Sequence, residues 1–70
     1  MVDIPRAPLG IFRAVLTRDS GALARDGQPF YQCNYIWTDP RDGEIHEILM
    51  ADGLWVLAAI ADLEFRTPVQ

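Results

Sequence analysis

"FYQCNYIW", residues 30–37, sets Tyr31, Cys33, Tyr35 and Trp37 on one side of an extended chain and Gln32 and Asn34 on the other. Side chains of a β-strand alternate with a period of two, and aromatic and β-branched residues suit a pleated, half-buried surface. A half-buried strand is expected here. It would hold Cys33 between two tyrosines on an apolar face. A thiol so placed is expected to be packed and inert, because a reactive one needs an electropositive, accessible setting.

The punctuation around this strand is regular. Arg25-Asp26-Gly27, Arg41-Asp42-Gly43 and Ala51-Asp52-Gly53 each precede an apolar-rich run. Asp-Gly favours reversal of the chain, since glycine tolerates positive φ and aspartate bonds its own local backbone. Successive reversals of this kind predict an antiparallel meander. Upstream, "LGIFRAVLT" at residues 9–17 reads as a strand with Phe12, Ala14 and Leu16 on one face. The polar connection at residues 18–28 has room for a helical turn around residues 21–25. Downstream, "EIHEILM" at residues 44–50 carries the meander on.

The last run, "LWVLAAIADLEFR" at residues 54–66, fits two states. As a strand it places Trp55, Leu57, Ala59 and Ala61 on one face and Val56, Ala58 and Ile60 on the other. As a helix it would start at an Asp52 cap, with its alanines favouring that state. The strand is expected, because the Asp52-Gly53 reversal continues the meander. The fold class that follows is mainly β: a small antiparallel meander or partial barrel, SH3-like or OB-like in outline. The alternative is a three-stranded sheet with one C-terminal helix. Residues 1–8 read as an extended N-terminal arm, 9–67 as a single small domain and 68–70 as a tail.

The most chemically varied segment is "TDPRDGEIHE", residues 38–47, which holds the chain's one histidine. Pro40 presets φ for a turn, Asp42-Gly43 closes it, and Asp39 is placed to accept local backbone donors. A calcium loop would need acidic ligands at alternate positions and a terminal bidentate glutamate. Asp39, Asp42 and Glu44 lack that spacing, so no metal is expected. His46 reads as a surface or interface imidazole. A His46/Cys33 catalytic pair would need adjacent strands and a third, orienting group, for which the sequence offers no obvious candidate. No catalytic residue and no cofactor is expected, and the chain reads as a non-enzyme.

Composition narrows the function classes. The net charge is −4, and the six basic residues, all arginine, are dispersed along the chain. Duplex binding draws on a clustered basic face, so direct nucleic-acid binding is not expected. The charge-free apolar run at residues 53–61 is about half of what a bilayer-spanning helix requires, so no membrane span is expected. No secretory signal is readable in "MVDIPRAPLG". The expected location is the cytoplasm, or a virion for a phage-encoded chain.

One cysteine cannot form an internal disulfide, and a chain of 70 residues has a small core. Such chains gain stability by packing or by oligomerising. Half of the residues are hydrophobic, and apolar surface left over on a soluble domain marks an interface. The leading expectation is a non-catalytic protein-interaction or assembly subunit, homo-oligomeric or part of a larger complex such as a phage virion. Its interface residues would be Tyr31, Tyr35, Trp37 and Trp55, the residue types that dominate interface energetics. The alternative is a small acidic inhibitor that blocks a host complex by offering Asp39, Asp42, Glu44 and Glu47 to a basic groove.

Overall fold

The computed structural model describes residues 7–17 and 19–66. Most of the arm (residues 1–6) and the tail lie outside that range. Five strands make one antiparallel sheet: β1 (Gly10–Phe12), β2 (Pro29–Asp39), β3 (Gly43–Met50), β4 (Trp55–Ala59) and β5 (Leu63–Phe65). Their spatial order is β4-β3-β2-β1-β5. β2, β3 and β4 form the anticipated meander. A single 3-10 turn, Ile60–Asp62, then returns the chain so that β5 pairs with β1. This is a mainly β fold that fits the expected small meander or partial barrel; a fold class carries no function by itself. The C-terminal helix alternative is not adopted.

The reversals form where Asp-Gly placed them. Gly27, Gly43 and Gly53 have φ of 83°, 81° and 85°, which side-chain-bearing residues rarely adopt. Asp39 Oδ2 accepts from the backbone N–H groups of Arg41 and Asp42 at 2.8 and 2.7 Å, fixing the β2–β3 turn. Between β1 and β2 the helical turn is α1 (Ser20–Leu23), capped by the Asp19 carboxylate, which accepts from Ala22 N–H at 2.9 Å. Arg25 ties this connection to the β3–β4 turn through Asp52 Oδ2 at 2.6 Å. That guanidinium, with two local backbone hydrogen bonds, holds the Asp52 carboxyl below its ordinary range.

The core is one cluster: Phe12, Ala22, Phe30, Ile48, Met50, Val56, Ala58 and Leu63, with Ala14 and Cys33 packed against it. Three sequence readings need correction. The run at 9–17 is a strand only over Gly10–Phe12, because Asp26 and Asp62 capture the next backbone donors in a loop. The run at 54–66 is two strands broken by the 3-10 turn rather than one. The alternation of β2 is interrupted by register shifts at Tyr31 and Ile36.

Asp62 is the one buried charged side chain among the described residues, 1% exposed. Its two carboxylate oxygens share the Leu16 N–H at 3.2 and 3.0 Å, and its carbonyl accepts from Arg13 N–H at 2.8 Å. It thereby pins the 13–17 loop over the end of the sheet. Asp62→Ala strands the Leu16 donor and is expected to cost about 1–3 kcal/mol. The check is a thermal melt, expected to fall by roughly 4–8 °C per kcal/mol in a domain of this size.

Candidate functional site

Chemistry-bearing side chains gather on the β2–β3 hairpin. From the turn, Asp39 pairs with Gly43, Thr38 with Glu44 and Trp37 with Ile45. Continued without a break, that register would set Tyr35 opposite Glu47 and Cys33 opposite Leu49. The bulge at Ile36 shifts it by one residue. Tyr35 therefore faces His46 and Cys33 faces Ile48, and the side-chain period of two turns Cys33 and Tyr35 to the core side with Glu44, His46 and Ile48.

The result is a hydrogen-bonded line. Cys33 Sγ lies 3.3 Å from His46 Nδ1, and His46 Nε2 lies 3.0 Å from Glu44 Oε1. A carboxylate only accepts, so Nε2 carries the proton that it receives; in the neutral ring Nδ1 then presents a lone pair to the thiol. Burial pushes the Cys33 thiol up from its ordinary value, so the sulfur rests as a thiol. The Tyr35 ring meets the imidazole edge-on, 5.7 Å between centroids and 77° between planes. Tyr35 is held in turn by Thr38, hydroxyl to hydroxyl at 2.7 Å.

Of the two readings, surface or interface imidazole, the first is not met: the His46 side chain is 12% exposed. The missing third group is Glu44, two residues earlier on the same strand face. That part was legible as Glu44-Ile45-His46 in a period-two strand. Sulfur and Glu44 stand on opposite edges of the ring, an arrangement that orients a base rather than encloses an ion. No group of three potential metal ligands occurs among the described residues.

The outer face of the same sheet is apolar. The register sets Trp37, Ile45 and Ala59 in one row, Asn34, Glu47 and Leu57 in the next, and Gln32, Leu49 and Trp55 in the third. Within these three rows Glu47 is the single charge, and Asn34 Nδ2 donates to it at 3.2 Å; Asp39, opposite Gly43, follows Trp37 on the same face. Trp37, Leu57 and Trp55 are exposed there by 48, 60 and 37%. Of the four aromatic interface candidates, Trp37 and Trp55 share this face. Tyr35 is turned to the opposite face by the bulge, and Tyr31 sits half-buried at the other register shift.

Three of the four loop acids have local hydrogen-bond partners. Asp39 is engaged by the turn, Glu44 by His46 and Glu47 by Asn34. Asp42 and Asp62 line a cleft of about 150 Å³ with Leu16, Ile45 and Leu57. A wider groove of about 460 Å³ runs between β4 and the 17–22 segment; its acid, Asp19, is engaged in capping α1.

No family model, curated protein or solved structure was found to match this chain. No helix among the described residues is long and apolar enough to cross a membrane.

Proposed function

We propose that the protein is a non-catalytic interaction and assembly subunit that self-associates through the outer face of β2, β3 and β4. The observation that carries this reading is the exposure of Trp37, Trp55 and Leu57 on one sheet face, whose charged residues are Glu47 and, at the turn, Asp39. Exposed apolar side chains gathered on one face mark an interface, and aromatic residues are its usual anchors. Two copies of a chain of charge −4 repel one another in general. A face with few charges is where that repulsion is weakest, so it favours a second copy.

The experiment is native mass by light scattering across a concentration series. The wild-type protein is expected to be an oligomer whose mass falls on dilution. Leu57→Lys, at a position 60% exposed, should shift the mass toward the monomer without changing the far-ultraviolet circular dichroism. A wild-type monomer at every concentration would remove self-association through this face. The acidic-inhibitor reading loses support from the engagement of Asp39, Glu44 and Glu47 in local hydrogen bonds.

A further inference from the structure

On the core side of the hairpin, we propose that Cys33 is a base-assisted nucleophilic thiol that small disulfides modify, with His46 as the base and Glu44 as its positioning residue. The inference is independent of self-association. It stands on the three-residue line: a nucleophile within hydrogen-bond reach of a base, 3.3 Å, and the base oriented by a third group at 3.0 Å. That combination is the structural signature of an activated nucleophile. Cys33 is also partly exposed rather than sealed in the core.

The step balances without a further reagent. The Sγ–H proton passes to His46 Nδ1 as the sulfur electron pair attacks one sulfur of the disulfide. A new S–S bond forms, the old one breaks, and the departing thiolate takes the proton from Nδ1. Cys33 is oxidised to a mixed disulfide, and half of the small disulfide leaves as a reduced thiol. Attack at sulfur builds no oxyanion, so the line needs no oxyanion donors. The chain has no second cysteine, so no neighbouring thiol resolves the adduct. Cys33 is a modification site and not a turnover centre.

Because burial keeps the resting sulfur protonated, the rate depends on proton removal during attack. Around the imidazole, β2 contributes Cys33 and Tyr35, β3 contributes Glu44, and β4 contributes uncharged Ala58 opposite His46. Glu44 is the one carboxylate bonded to the ring.

The test is the rate of reaction of the full-length protein with dithiodipyridine, a neutral aromatic disulfide, followed by absorbance between pH 6 and 9 with intact mass as the count of adducts. Wild type is expected to form one adduct. At neutral pH it should react about tenfold or more faster than His46→Ala, less than the roughly 10²–10⁴-fold of general-base catalysis because burial is set against it. Glu44→Gln, on a carboxylate 55% exposed, should keep the fold, react at an intermediate rate and change the shape of the pH profile. A purely structural role for Glu44 would leave that shape alone. Wild type and Glu44→Gln with the same rate and profile would overturn the proposal, even if His46→Ala fails to fold. So would a folded protein that forms no adduct.

Discussion

Gly10→Ala is expected to abolish the folded state under conditions where wild type is stable. A Cβ built on Gly10 stands 2.1 Å from the Glu64 carbonyl oxygen and 2.9 Å from Phe65 Cα. Both are backbone atoms, so no side-chain rotation relieves the clash. The strands have to separate instead. β1 is three residues long and is the one strand that links β5 to the meander, pairing Gly10 with Phe65 on one side and with Phe30 on the other. Overpacking alone costs about 1–3 kcal/mol, occasionally more, and here the loss of β5 is added. A domain of this length has roughly 4–10 kcal/mol in total. Urea unfolding should show Gly10→Ala unfolded or with its midpoint sharply lowered. Gly21→Ala is the control, since its Cβ meets an Asp19 carboxylate oxygen at 3.2 Å, a side-chain atom able to give way. A Gly10→Ala protein melting within a few degrees of wild type would show that β1 and β5 are not held this closely.

The sequence made the meander legible because Asp-Gly acts locally. Asp26-Gly27, Asp42-Gly43 and Asp52-Gly53 impose positive φ whatever surrounds them, and the strands between follow. Tertiary pairing was less visible. Nothing in "LGIFRAVLT" says that only Gly10–Phe12 pairs, because the strand ends where the distant Asp62 carboxylate captures Leu16 N–H, 46 residues away. The break after Ala59 was equally hidden, since Ile60 and Ala61 continue the alternation of the strand that stops there.

The candidate site shows the same divide. Glu44 and His46 share a strand face by simple alternation, and this could be read. The arrival of Cys33 could not. From the Asp42-Gly43 turn, regular pairing would face Cys33 and Tyr35 the same way as Trp37. The extra residue at Ile36 reverses that, bringing Cys33 and Tyr35 to His46 and leaving Trp37 on the outer face with Trp55. One bulge thus separates the Cys33–His46–Glu44 line from the exposed tryptophans. A bulge has no sequence signature as strong as Asp-Gly, since any residue in a near-helical backbone state supplies it.

Phe30→Ala is the second change expected to remove most of the stability. Phe30 has no exposed surface and occupies the place where three strands meet, opposite Gly10 on β1 and Met50 on β3. Its ring meets Phe65 edge-to-face, 5.4 Å between centroids and 89° between planes. Truncating a buried phenylalanine costs about 3–5 kcal/mol, combining lost transfer energy with the cavity left behind. Phe65 is half-exposed, so Phe65→Ala removes the same aromatic contact with much less burial. The contact itself contributes about 0.5–1.5 kcal/mol beyond the area it covers. Urea unfolding of both variants therefore separates the two contributions: a small loss for Phe65→Ala beside a large one for Phe30→Ala assigns the stability to burial at the strand junction. Equal losses would mean instead that the β1–β5 closure, which the ring pair spans, is what the rest of the sheet depends on.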